Sequence, residues 1–458
     1  MIKKVLLGIL LLLTMISCAN NPFYSYKSES DQTLNNIYNG ITESTVYSNN
    51  SNNILYYMED GTYQRMLGKY EVSDSELSSA QKVIDDWVNS WKFSNTGQIT
   101  TTTMQMLIND NSVDYQPKGY EKTTLSAYRA LNHVDTNNWA NARVEVKKMY
   151  ETEVAIKNYN EALYQQDKAN STSLRSNPAT NMIYRKIMTN YNFTAINSPQ
   201  VLLLENSYQS AFSHYLAGFI FEALGENSLA RPGYLNALKL NPNNSLSGQS
   251  IANLDKGKTR MPGYTNLLII EEIGHAPQYK SKQIPITFNY ALNNGQTCLN
   301  NINLFFPELV PDIQGKSNYN YTIDNKNQNP ELYTDYDLMA ARYLHDQIPH
   351  LIARNITAAI RNISTSQAIC NADSSSLGSI LNIVSIAGGI FLDHADERTW
   401  VLLPSKIYLN RVSLPYGKHT INISVRGQTY KKEILLNSPY QIFDLRVFGD
   451  RVFFMDER

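Results

Sequence analysis

The first half of the chain repeats its apolar residues at helical spacing. From Asp31 to about Asn253 they recur every three or four positions, and Leu34, Ile37, Ile41 and Thr45 fall on one face. Residues 75–93 carry a second stripe of Leu77, Val83, Ile84, Trp87, Val88 and Trp91. Clusters of Asn, Asp, Ser and Gly punctuate the segments, and residues 110–120 and 170–178 read as loops. Around Arg260-Met261-Pro262-Gly263 the pattern changes. Residues 266–273, 284–290 and 302–306 read as short strands. Residues 336–370 return to helical spacing through Leu338, Ala341, Leu344, Ile348, Leu351, Ile352, Ile356 and Ile360. Residues 377–392 are uncharged but shorter than the ~18 residues of a membrane span, which predicts a buried core helix, with membrane contact as the alternative. Past Trp400 the pattern predicts strands at 406–412, 419–426, 429–436, 441–448 and 451–454. They are marked off by turn signals at Pro415-Tyr416-Gly417, Arg426-Gly427 and Gly449-Asp450. Alternation across His419-Thr420-Ile421-Asn422-Ile423-Ser424-Val425 predicts a half-buried antiparallel strand. The whole reads as an α+β chain: helices first, then a domain ending in an antiparallel β-unit.

The N-terminus is an address. Lys3 and Lys4 precede an apolar run from Val5 to Ile16, which is too short for a ~30 Å hydrocarbon core and suits a signal peptide. Leu13-Thr14-Met15-Ile16-Ser17-Cys18 closes that run and resembles the lipobox of bacterial lipoproteins, with Met15 where Leu is commoner. An ordinary secretory leader with an incidental Cys is the alternative. The resemblance implies acylation of Cys18, a membrane lipid contact through it, and, with Ala19 rather than Asp next, transfer to the outer membrane. Residues 1–17 are then the leader and 18–30 a lipidated tether. In that oxidising compartment Cys298 and Cys370 remain as a candidate disulfide, against two separate buried thiols.

Residues 211–244 read AFSHYLAGFIFEALGENSLARPGYLNALKLNPNN. The segment resembles a tetratricopeptide repeat, a ~34-residue helix–turn–helix unit. Gly218 and Ala230 stand at the two small positions, Phe221 and Tyr234 at aromatic ones, Leu224-Gly225-Glu226 at the turn and Pro242 at the close. His214 departs from the usual Trp, and Pro232 lies early in the second helix. A weaker copy covers residues 123–157, with its turn at Asp135-Thr136-Asn137-Asn138 and with Ala130 and Ala142 at the small positions. The resemblance implies a tetratricopeptide-like α-solenoid over residues 31–260, followed by an α+β domain over 261–458. It also implies that the first helix of each pair lines a concave groove. Phe212, Tyr215, Phe219 and Glu222 form one stripe along that helix, as candidate contacts for a partner protein. Packing of Phe212 and Phe219 against the preceding repeat is the alternative.

Composition narrows the class further. Of 458 residues, 18% are charged against a typical ~25%, the net charge is −1, and 51 are Asn. No basic stripe argues for nucleic acid. Candidate chemistry is thin. His345 and His350 are five apart, off-register for a shared metal on a helix. Gly257-Lys258-Thr259 lacks the first glycine of a phosphate loop, since position 252 is Ala. No Gly-x-Ser-x-Gly occurs. The reading therefore names no catalytic residue, metal site or cofactor.

Asp396-x-Arg398-x-Trp400-x-x-Leu403-Pro404 stands before the terminal strands, and reads first as a packing and turn motif pinned by Trp400. With the lipobox and the repeat, it resembles a family of repeat-containing lipoproteins of Gram-negative bacteria. That resemblance implies an outer-membrane lipoprotein, facing the periplasm or the surface. The expected function is a non-catalytic scaffold for an envelope protein partner. A ligand-binding protein or enzyme using the C-terminal domain is the alternative.

Overall fold

The computed structural model describes residues 22–40, 53–92, 115–176, 178–291, 297–312, 319–370 and 394–455. Cys18 and residues 377–392 lie outside them, as do the side chains of Cys298 and Cys370. The helices come first: α1 Pro22–Tyr38, α2 Ile54–Met66, α3 Tyr70–Lys92, α4 Gly119–Asp135, α5 Trp139–Ser176, α6 Pro178–Asn190, α7 Pro199–Leu203, α8 Ala211–Ala223, α9 Asn227–Leu240 and α10 Ser245–Asp255. The strands follow: β1 Tyr264–Ile273, β2 Gln278–Ala291, β3 Thr297–Val310, β4 Tyr319–Ile323, β5 Lys326–Asn327 and β6 Glu331–Asp335. Then come α11 Tyr336–Cys370, β7 Lys406–Pro415, β8 Gly417–Val425, β9 Gln428–Leu436, β10 Tyr440–Phe448 and β11 Arg451–Phe454. The protein is mixed α+β, with helices in its N-terminal part and sheets in its C-terminal part.

A five-stranded sheet, in the order β11-β10-β1-β7-β6, sits at the centre. β1 is an inner strand buried on both faces. Leu267 and Ile269 point into one core, Leu268 and Ile270 into another, as a period of two dictates. The first core lies between this sheet and the four-stranded sheet β5-β4-β8-β9, where Ile421, Ile423 and Val425 supply the alternating face. The second lies between the sheet and the helices, and runs from Tyr26 and Leu55 through Tyr215 and Phe219 to Trp400, Leu409 and Ile442. The hairpin β2–β3 packs with α6 against α11. Asn355 on α11 exchanges hydrogen bonds with the Phe305 backbone of β3, its amide donating at 3.1 Å and its oxygen accepting at 3.2 Å.

Four expectations need correction. The terminal β-unit is not wholly antiparallel: β10 runs parallel to β1, because the β8–β9 hairpin belongs to the other sheet and carries the chain across before β10 returns. Residues 170–178 are not a loop, since α5 continues to Ser176 and α6 starts at Pro178. Proline suits a first helical position, where its missing N–H is not needed. Residues 22–30 are not a tether: α1 already begins at Pro22, and buried Tyr26 donates to Glu59 Oε1 at 2.7 Å. Finally, residues 31–260 and 261–458 are not separate in packing, because one hydrophobic cluster crosses from the helices to the sheet.

The two sequence-matched hairpins are α4–α5 and α8–α9. Ser210 caps α8 by accepting from Ser213 N–H, and Gly225 ends that hairpin arm at φ +79°. The pair then closes on glycine. A Cβ on Gly218 would lie 2.7 Å from the Tyr234 ring, and one on Gly233 would lie 2.7 Å from Gly218 N.

Candidate functional site

The stripe proposed for a partner is interior. Phe212, Tyr215, Phe219 and Glu222 are all buried, and the surface they meet belongs to this same chain. Phe212 N–H donates to Thr334 Oγ1 of β6 at 3.1 Å. The Tyr215 ring lies 5.2 Å from Tyr333, and its hydroxyl is 2.8 Å from Ser250 Oγ of α10. Phe219 meets Tyr440 of β10 at 5.5 Å, and the Arg411 guanidinium lies 5.1 Å from its ring centroid. Glu222 takes both Arg411 nitrogens, at 2.5 and 3.1 Å, together with the hydroxyls of Tyr234 at 2.6 Å and Tyr440 at 3.0 Å. The stripe is therefore not a free binding surface. Its aromatics supply contact area and its acid sets orientation, but the central sheet already fills the face.

The Asp396-to-Pro404 stretch lies outside any helix or strand, turns at residues 401–403 and is held by two buried glutamates. Glu121 accepts from Trp400 N–H at 2.9 Å and Thr399 Oγ1 at 3.0 Å, while its other oxygen takes Lys118 N–H at 2.7 Å. Glu59 accepts from Val401 N–H at 2.7 Å and Leu402 N–H at 3.0 Å. Burial pushes the Glu59 carboxyl up to about 8, against those donors. Trp400 Nε1 donates to Thr62 Oγ1 at 3.0 Å, and Arg398 is clamped by both Asp396 oxygens. These contacts satisfy a segment with no ladder of its own, so the motif is a packing device. Gly257-Lys258-Thr259 follows the end of α10, with the Tyr440 hydroxyl donating to the Thr259 carbonyl at 2.9 Å. Among the described residues no group of His, Cys, Asp and Glu side chains could hold a metal ion.

An open pocket of about 550 Å³ lies elsewhere, between the C-terminal half of α5, α6 and α11. Its floor is apolar: Leu163, Leu174, Ile348, Ile352 and Ala353 are buried. Its mouth is polar and aromatic, with Tyr164, Lys168 and Arg175 exposed and Met188 beside them. Helical spacing explains the floor, because Ile348 and Ile352 stand four apart on α11 and share a face. The Asn355 bonds to β3 hold α11 at that height. Pro349 also lines the pocket and, lacking an N–H, gives nothing to the His345 carbonyl. His345 Nδ1 lies 2.8 Å from Asn197 Oδ1, and Asp346 accepts from Arg342 Nε at 3.0 Å. Burial raises the Asp346 carboxyl, with Arg342 opposing. Lys168 and Arg175 escape a reading from pattern because Arg175 falls inside the stretch expected as a loop, residues 170–178, and Lys168 stands just before it.

Fold and site together define a class: a mixed α+β protein whose helical hairpins are docked on a central sheet, with an open, apolar-floored pocket between α5, α6 and α11. No protein-family model, curated protein or solved structure matches the chain. No described helix is long and apolar enough to cross a membrane.

Proposed function

We propose that this is a lipid-anchored, non-catalytic binding protein of the bacterial envelope, recognising its ligand in the pocket between α5, α6 and α11. The pocket carries the reading. Its volume lies within the ~300–1,000 Å³ of small-molecule sites, and it joins a buried apolar floor to a few polar groups at the mouth. The held states of His345 and Asp346 favour binding over turnover, since each already serves a neighbour. The lipobox ending at Cys18 supports the leader and anchor. The close approach of Gly218 to Gly233 and Tyr234 supports tetratricopeptide-like packing in α8–α9. In this reading that packing builds the scaffold behind the pocket and forms no groove.

The test is retention of a small molecule. Protein purified from envelopes should release a stoichiometric non-covalent compound on denaturation, and Ala353→Trp, which fills the floor, should lose it while keeping its circular dichroism. No compound from the wild type, or equal release from both proteins, overturns the reading.

A second reading, a scaffold for an envelope protein, is favoured by Leu202 and Leu203, exposed side by side on α7. Crosslinking in intact envelopes would then give protein adducts on α7 and leave the pocket free.

A further inference from the structure

Resting on the lipid anchor proposed above, we infer that the folded body itself docks on a phospholipid bilayer. The docking surface is the end of the helical layer where α1 and α4 start and residues 394–398 run, and the short tether from Cys18 presses it there. Three observations carry this.

First, the tether is shorter than the body it holds. Ala19, Asn20 and Asn21 separate Cys18 from α1, which begins at Pro22. Fully extended, the link from Cys18 to Pro22 reaches about 14 Å. A compact chain of this length has a radius of gyration of ~22 Å. Acyl chains on Cys18 fix that residue at the headgroups, so the body cannot turn its far side to the lipid. The start of α1 is also tied to the body. Tyr26 is buried and donates to Glu59 Oε1 at 2.7 Å and to the Thr399 carbonyl, and Lys27 pairs with Glu397 at 2.6 Å.

Second, the segment that holds α1 also holds the start of α4. The Arg398 carbonyl accepts from Lys118 Nζ at 2.9 Å, one residue before α4. The Arg398 guanidinium carbon lies 5.5 Å from the Tyr115 ring centroid. α4 then measures the way to the other end, since its rise from Gly119 to Asp135 is about 24 Å. There Asn132 and Asp135 take Arg65 near the end of α2, at 2.6 and 3.0 Å. The α2–α3 and α4–α5 turns therefore stand at the far end.

Third, the chain that joins the near end is poor in charge. α3 ends beside the start of α4, where Lys122 Nζ lies 4.5 Å from the Trp87 ring centroid. Residues 93–109 follow α3, and residues 374–392 lead to His394. Neither stretch holds a charged residue, against 18% in the whole chain. Neither therefore sets a charge where a bilayer would have to strip its water.

The test uses the full acylated chain in phosphatidylcholine vesicles containing a lipid with a photoreactive diazirine in its headgroup. Adducts are mapped by peptide mass. Peptides that carry Ser28, Gln116 and Glu397 should be labelled several times more than those that carry Lys69 and Ala140, which are exposed at the far end. The headgroup layer is about 5–7 Å deep on each side, so the probe does not span α4. A Gly-Ser insert of about twenty residues between Asn21 and Pro22, reaching about 25 Å, should bring the two sets to equal labelling with circular dichroism unchanged. Equal labelling of both ends in the wild type, stronger labelling at the far end, or an unchanged preference in the insert variant overturns the docking surface while leaving the anchor. Envelope-derived protein whose Cys18 carries no acyl chain overturns the anchor and the docking surface with it, and the pocket reading rests on neither.

Discussion

Glu222 binds the Arg411 guanidinium with both oxygens while accepting two tyrosine hydroxyls, all in the interior. Removing one member of such a network leaves the other charge buried and unpaired. Glu222→Ala should therefore cost about 3–5 kcal/mol in urea unfolding. A loss within ~0.5 kcal/mol, the ordinary result for an exposed position, would return Glu222 to the surface. Glu271 offers a second test at this scale. It sits on β1 facing Tyr319, whose hydroxyl donates to it. Burial raises its carboxyl from 4.5 to about 8, with the Tyr319 bond opposing. An acid with a raised folded-state value holds an extra proton when folded. Its contribution is present at low pH and is lost as pH rises from the unfolded value to the folded one. Stability should thus fall between about pH 5 and pH 8, by at most ~1.4 kcal/mol per pH unit from this group. Glu271→Gln should flatten that slope. Glu59 and Asp337 are also raised, to about 8 and about 6, but they remain in both proteins and drop out of the comparison. Parallel slopes in the two proteins would contradict the assignment.

Among elements, the α8–α9 hairpin depends on two glycines that bring backbone against backbone. A methyl on Gly233 would meet Gly218 N at 2.7 Å and Cα at 2.8 Å, and neither can swing aside as a side chain can. Gly233→Ala should cost about 1–3 kcal/mol, the range for overpacking, while Gly248→Ala, with open space around it, should be neutral within ~0.5 kcal/mol. Equal melting temperatures for the two variants would show that the hairpin is looser than described. This hairpin was legible because its punctuation is local: the Leu224-Gly225-Glu226 turn and the small positions act within a few residues. The strands after Trp400 were legible for the same reason, since turn residues bound each one. β4, β5 and β6 were missed because they are short; β4 draws a partner from β8, β6 from β7, and the two-residue β5 pairs only with β4. The stripe on α8 was recognised as a contact surface, but a pattern of four residues does not say whether the partner is another molecule or this chain's own sheet. The pocket was illegible because its walls come from segments nearly two hundred residues apart.

Across the whole molecule, the claim that the helical and sheet parts share one core makes unfolding a single event. Trp400 lies between α2, α4 and the sheet, edge-on to Tyr128 at 5.8 Å. Trp400→Ala should cost about 3–5 kcal/mol, and should lower the helical and sheet signals together in one transition. Two separated transitions, with only one moved by the variant, would restore a division near residue 261. The same architecture places α6 as one wall of the pocket, and two methionines on that helix provide an internal comparison. Met188 lines the pocket and is 42% exposed, whereas Met182 is outside it and 39% exposed. Peroxide oxidation of the full chain, followed residue by residue by mass, tests the central claim that ligand is held in this pocket. In ligand-stripped protein the two methionines should oxidise at similar rates. In protein carrying its ligand, Met188 should slow while Met182 does not. Unchanged rates at both, or equal slowing of both, would contradict the account.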